Sequence, residues 1–304
     1  MLDKFLRDLI HGEFSVGKTK IAFLDILLTV CITGAAVLMR QAIFGISGNP
    51  GISGGMMLLL YCVADFLVAF LMAVFVWKTT GSKLKTVGIY SLAVIWPAIA
   101  GNSALNGGYE ILFALILVIM LCVVAFRNRY TMKTFWLITI VACALQILQG
   151  DAPTTKLTNC WPNIYTLFSE TGYYNEYGVT GKLLVIGILL MVFYYISKKE
   201  VKVTPELLTS SGLFVCLFIS AFYPFINYRS GLLANVFALL VFAQNKKKFY
   251  IPMAMCIISY ISYSTFYYVE EFGVFFWIYA LALVVLMLDA GVSLYKQLQA
   301  GKQV

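Results

Sequence analysis

The residue with the sharpest chemical implication is Arg229, in the run PFINYRSGLLANV at the end of an apolar stretch. A guanidinium at membrane depth costs at least about 2.5–3.5 kcal/mol on insertion scales unless it pairs or reaches water. Its planar fork suits a phosphate. The plainer reading is an arginine that snorkels outward or pairs with Glu270 or Glu271. Glu110 follows NSALNGGY, where Gly107 and Gly108 permit a tight turn. Its acid either faces a polar cavity or simply complements a helix dipole from the first turn. A third group lies in DAPTTKLTNCWPNIYTLFSETGYYNEYGV, residues 151–179. There Asp151, Glu170 and Glu176 accompany Trp161, Tyr165, Tyr173, Tyr174 and Tyr177. Rings can cover the apolar faces of a pyranose while carboxylates accept from its hydroxyls. The same composition also makes an interfacial aromatic belt, which composition alone favours.

Other chemistries find little footing. Asp25, Asp65 and Asp289 fall inside apolar stretches, where an ionised acid is costly. With no intramembrane Lys or His beside them, structural hydrogen bonding is expected rather than a proton relay. His11 is the only histidine, and a metal site needs partners that it lacks. Six of the seven cysteines lie in apolar stretches, so no disulfide framework is expected. Neither CxxC, HExxH, a Walker motif nor GxGxxG occurs. No metal and no cofactor is therefore expected.

These residues must be positioned by membrane-spanning helices. The apolar fraction is 61% and the mean hydropathy is +0.88, far beyond a soluble domain. Ten stretches are candidates to span, near residues 21–43, 54–77, 86–101, 110–126, 134–150, 180–197, 207–225, 232–244, 250–268 and 274–294. Residues 1–20 are charged, with Leu2, Phe5, Leu6, Leu9 and Ile10 on one helical face, and are expected to form an amphipathic helix on the cytoplasmic surface. Residues 21–304 are read as one polytopic domain. All but four of the 22 basic residues (Arg40, Lys156, Lys182 and Arg229) fall at the termini and in alternate loops. That bias puts both termini in the cytoplasm. Because the charge is spread over six segments, a nucleic-acid partner is not expected. The outward loops are then 44–53, 102–109, 151–179, 226–231 and 269–273. The 29-residue loop 151–179 stands out, since loops that long are usually functional.

Four stretches resemble the bacterial relatives of the GPI-anchor second mannosyltransferase, in the GT-C superfamily of polytopic glycosyltransferases. ADFLVAF resembles that family's DFLLA-type helix, and IWPAIAGNSALNGGYEILF its LxPxxxxNSxxWGQxDxxY segment. LTNCWPNIYTLF resembles its LSxNAPNxWxLL segment, and YPFINYRSGLLANV its LPxMHERYFYxADV segment. The likeness runs over roughly residues 54–245. It implies an all-α, GT-C-like fold in a bacterial cytoplasmic membrane, with a polyprenyl-phosphate-linked sugar as donor and a glycan as acceptor. It further implies an acid acting as base toward the acceptor hydroxyl and a basic residue holding the lipid phosphate.

Carried onto this chain, the resemblance assigns Arg229 to the lipid phosphate. Asn49 stands where the family has the acid of its first outer loop, and an asparagine cannot take a proton at neutral pH. Glu110 replaces the aspartate of WGQxD and Asn106 its tryptophan. Ile226, Asn227 and Tyr228 replace Met, His and acid, and Asn235 replaces a later aspartate. The candidate bases are therefore Glu110 and Asp151. Asn49, Asn159, Trp161, Asn163, Tyr165 and Tyr228 are the candidate sugar contacts, converging at the outer surface. Three functions are implied: a compact glycosyltransferase with a different base; a silent homologue that binds a lipid-linked glycan or serves a partner membrane protein; and a carrier of lipid-linked sugar. The absence of internal repeats and of symmetric broken helices disfavours the carrier.

Overall fold

In hydrocarbon every backbone N–H and C=O must be satisfied within its own segment, so apolar runs become helices. The computed structural model bears this out, describing residues 13–16, 19–47, 55–106, 109–150, 157–167, 174–199, 201–268 and 276–301. A short antiparallel hairpin, β1 (Glu13–Val16) and β2 (Thr19–Ala22), precedes α1 (Phe23–Ser47) and α2 (Gly55–Thr80). Then come α3 (Lys83–Ile95), α4 (Pro97–Asn106), α5 (Glu110–Arg127) and α6 (Met132–Gly150). The long loop contributes β3 (Thr158–Asn159) and a 3-10 turn, Ile164–Leu167. It leads to α7 (Tyr174–Ser197), α8 (Pro205–Phe222), β4 (Ile226–Asn227) and α9 (Leu232–Gln244). A second 3-10 turn, Lys246–Lys248, joins α9 to α10 (Tyr250–Tyr268), and α11 (Phe276–Ala300) follows.

Eight helical segments of the described residues are long and apolar enough to cross a membrane. The chain has the build of an all-α, multi-pass integral membrane protein. The remaining two of the ten expected spans coincide with α1 and with α9. At 13 residues, α9 is only about 20 Å long, too short for a ~30 Å hydrocarbon core. It tolerates this because protein surrounds it: every residue but Phe242 and Gln244 is buried, against α8, α10, α5 and the α3–α4 segment. The helix expected over residues 1–20 does not reach residue 13, since 13–16 and 19–22 pair as strands. Its apolar positions, Leu2 to Ile10, and His11 lie outside the described residues.

At the centre stands α8. Thr204 caps it, its hydroxyl accepting from Leu207 N at 3.1 Å, and Pro205 occupies the first turn, where a missing N–H costs nothing. It is 78% buried, against 22% for the peripheral α7. Lipid supplies no hydrophobic force between helices, so close contact and interhelical hydrogen bonds must hold them. Both are present. A Cβ on Gly212 would collide with the Phe237 ring, so only glycine lets α9 lie this close on α8. Hydroxyls and amides cross between helices: Thr139 to Ser211 at 3.2 Å, Gln146 to Ser220 at 3.0 Å, Thr209 to Gln244 at 2.6 Å and Gln297 to Ser210 at 3.1 Å.

The break between α3 and α4 is set by Pro97, which pushes Trp96 to extended backbone (ψ 127°). A buried guanidinium serves the broken end. Arg40 Nη1 donates to the Val94 carbonyl at 2.9 Å and to Ala36 O at 3.2 Å, while Nε and Nη2 meet Asp65 Oδ2 at 3.1 and 3.0 Å. Asp289 is engaged by Lys248 Nζ at 2.7 Å and by the Tyr250 hydroxyl at 2.7 Å. Two of the three acids in apolar stretches, Asp65 and Asp289, are therefore ion-paired. Their partners sit on other elements, 25 and 41 positions away.

Candidate functional site

The connections alternate between two ends of the bundle. One end carries the lysine-rich turns; the other gathers α4–α5, the long loop and the α8–α9 turn around Arg229. That turn is built by its own side chains. Asn227 Oδ1 accepts from Arg229 N at 2.9 Å, an Asx turn, and Asn227 Nδ2 donates to the Gln149 carbonyl at 3.0 Å. Ser230 Oγ donates to the same carbonyl at 3.2 Å, and Gln146 Nε2 reaches Ser230 O at 2.6 Å. The end of α6 thus locks the turn that carries Arg229.

Arg229 Nη1 meets Glu110 Oε1 at 3.4 Å, and its Nε donates to the Tyr228 hydroxyl at 3.1 Å. The exposures are unequal: the arginine side chain is 21% exposed and the glutamate 2%. The guanidinium therefore covers the carboxylate and itself faces outward. Glu110 Oε2 is buried with no hydrogen-bond partner among the described residues. As first residue of α5, Glu110 also sits where the helix dipole favours an anion. Burial works against the charge of Arg229, but Glu110 and Tyr228 outweigh it and hold the guanidinium above its ordinary range. Arg229 is thus cationic at any physiological pH. Tyr228 is fixed in turn, stacked on Phe266 at 3.9 Å between centroids and edge-on to Tyr263 at 5.5 Å.

The sugar-contact candidates divide. Trp161 is fully buried, its indole lying on Gly231 and its Nε1 donating to the Ser220 carbonyl at 3.1 Å. It satisfies the last turn of α8 and has no free face for a pyranose. Asn163 is also fully buried, with Nδ2 on Tyr223 O at 3.3 Å and Oδ1 accepting from Tyr165 N at 3.0 Å. These two brace the long loop and do not form a binding surface. Tyr228 is buried too, its hydroxyl accepting from Arg229 Nε. Asn159 and Tyr165 are half-buried: Asn159 pairs with Asn227 in the parallel β3–β4 bridge, and the Tyr165 hydroxyl packs on Gly181. Asn49 and Asp151 lie outside the described residues, as do Glu270 and Glu271, the expected partners of Arg229.

Sequence reasoning had each member of the Arg229–Glu110 pair but not the pairing across 119 positions. It passed over Gln146 and Gln149, whose helix read as one more apolar span. Gln146 Oε1 and both amide atoms of Gln149 are buried without partners among the described residues, close to the Arg229 turn. Asn235, where the resembled family has an acid, accepts from Trp96 Nε1 at 2.8 Å and donates to Gly231 O and Ser259 Oγ, each at 2.8 Å. A carboxylate could not make both donations. Among the described residues no group of three His, Cys, Asp or Glu could hold a metal ion.

No protein-family model, curated protein or solved structure matches the chain.

Proposed function

We propose that this protein is a GT-C-like membrane glycosyltransferase that takes a polyprenyl-phosphate-linked sugar at the Arg229–Glu110 centre, on the outer face of a bacterial cytoplasmic membrane. Both termini are then cytoplasmic, and the lysine-rich turns face inward. The observation that carries the reading is the partly exposed guanidinium held over a buried carboxylate at the mouth of the bundle. A phosphate reaching that mouth meets a fixed cation in a low-dielectric setting, where charge developing on a leaving group is stabilised most. Phosphate oxygens compete with Glu110 for Arg229, and the released carboxylate becomes a base for an acceptor hydroxyl. The hydroxyl oxygen attacks the anomeric carbon, the bond from that carbon to the phosphate oxygen breaks, and the phosphate leaves with the electron pair. The hydroxyl proton passes to Glu110.

The experiment is transfer of labelled sugar from a polyprenyl-phosphate donor in proteoliposomes. Arg229→Ala and Glu110→Gln should each abolish it, and unaltered transfer by both rejects the assignment. One observation favours a second reading, a silent accessory subunit that binds the lipid-linked glycan: Glu110 is already ion-paired and almost without exposure. In that case the solitary wild-type protein retains the donor lipid, loses it on Arg229→Ala, and never forms a glycosidic bond.

A further inference from the structure

The placing of the tyrosines sets one helix face apart. Six exposed tyrosines among the described residues, Tyr109, Tyr177, Tyr194, Tyr195, Tyr250 and Tyr295, lie within a turn and a half of a helix end. They have the placing of an interfacial belt, ring in hydrocarbon and hydroxyl toward water. Tyr260 does not. It is 61% exposed, yet it lies twelve residues past Lys248 and eight before the end of α10, about 18 Å and about 12 Å along the helix. A helical tyrosine leans toward its own N-terminus, and from that depth its ring falls short of the headgroups. The Tyr260 hydroxyl makes no hydrogen bond among the described residues. Two other hydroxyls of α10 are served from inside the protein: Ser259 Oγ accepts from Asn235 Nδ2 and Ser262 Oγ donates to the Ile258 carbonyl, each at 2.8 Å. Acyl chains offer neither donor nor acceptor, so a phenol held among them is left unmatched.

The stripe around Tyr260 says what covers it. Met253, Ile257 and Tyr260 are exposed at spacings of four and three, one line along α10. Tyr263, which packs on Tyr228, turns inward. No residue of α10 is charged, so the stripe selects no partner of opposite charge. Its one polar group both donates and accepts, and is therefore its own complement. Two copies in one membrane share a topology, so a two-fold axis relating them runs along the membrane normal. That axis sets α10 parallel to α10 and brings each residue to its own counterpart at equal depth. Tyr260 then meets Tyr260, with Ile257 and Met253 packing below it toward the lysine end.

We propose that two copies of this chain pair in the membrane along the α10 stripe of Met253, Ile257 and Tyr260, with the two Tyr260 hydroxyls hydrogen-bonded across the two-fold axis. Interhelical hydrogen bonds and side-chain packing are the forces that join helices in lipid, and the stripe supplies both. The interface does not depend on the role proposed for Arg229.

The test is single-molecule photobleaching of the labelled full chain, diluted stepwise in phospholipid vesicles. The parent should pair, and Tyr260→Phe, which removes only the hydroxyl, should raise the dissociation constant about fivefold. Tyr194→Phe, at an exposed phenol of α7, should leave it unchanged. The Tyr260 hydroxyl has no partner among the described residues, so Tyr260→Phe should keep the parent's unfolding midpoint in detergent, which separates lost association from lost folding. In a Cys31→Ser, Cys256→Ser background, Tyr260→Cys and Ile257→Cys should each cross-link two copies on oxidation, and Met191→Cys on α7 should not. A protein that stays single at every density overturns the proposal, since acyl chains then cover the stripe. Pairing that Tyr260→Phe leaves intact overturns it as well, as do cross-links at Met191→Cys with none at Tyr260→Cys.

Discussion

A guanidinium beside a buried carboxylate is both an anchor and a hazard. Removing one member of a buried pair typically costs about 3–5 kcal/mol, because the other is left charged and dry. The partial exposure of Arg229 places this pair near the lower bound. Arg229→Met should therefore destabilise the protein by about 3 kcal/mol, and adding Glu110→Gln should recover most of that loss. Denaturant unfolding in micelles across the double-mutant cycle measures the coupling. Coupling near zero would mean that the two side chains do not meet as described. At this scale residue type marks Arg229 and Glu110, which stand out as charges beside apolar runs, and the structure pairs them. Trp161 and Asn163 misled, because a buried tryptophan that closes a helix end and a stacking tryptophan on a binding surface are the same letter. Their burial, and the Ser220 and Tyr223 carbonyls they serve, come from packing that no local pattern encodes.

Among the elements, the interrupted α3–α4 segment has the most distinctive physics. Pro97 fixes where the helix breaks, and the sequence alone marks it. The satisfaction of the broken end depends on α1 and α2, which bring Arg40 and Asp65 to the freed Val94 carbonyl. Arg40→Met would leave Asp65 buried without its cation and that carbonyl without its donor. A loss of about 3–5 kcal/mol is expected, restored in large part by Arg40→Met with Asp65→Leu. Thermal unfolding of the three proteins in one detergent reads this directly, and a single variant as stable as the parent would remove Arg40 from the account. The short α9 makes a related point. Its apolar run reads as a short span, yet its burial on all sides makes it the inner post against which α8 and α10 pack.

For the whole molecule, the two ends of the bundle differ in character: one carries lysine-rich turns and the other holds the buried Glu110 beneath Arg229. With the lysine end cytoplasmic, a cysteine at Lys133 should react with a membrane-impermeant maleimide only after permeabilisation, and one at Tyr177 should react in intact cells. A Cys160→Ser background removes the native thiol at the Arg229 end. The reverse labelling pattern would invert the topology and move the Arg229 centre to the inner face.

Hydropathy and charge placement determined, from the sequence by itself, that this is a bundle of apolar helices and which turns share an end. Those properties are sums over local residues, and the cost of exposing backbone to lipid leaves helices as the answer. Only the tertiary structure decided which charges meet, which aromatic rings are sealed, and that a 13-residue helix can sit at the core. Each of these depends on residues brought together from 25 to 139 positions apart. In an apolar setting, helices choose neighbours by close packing and a few hydrogen bonds, and those preferences leave almost no periodic trace in the chain.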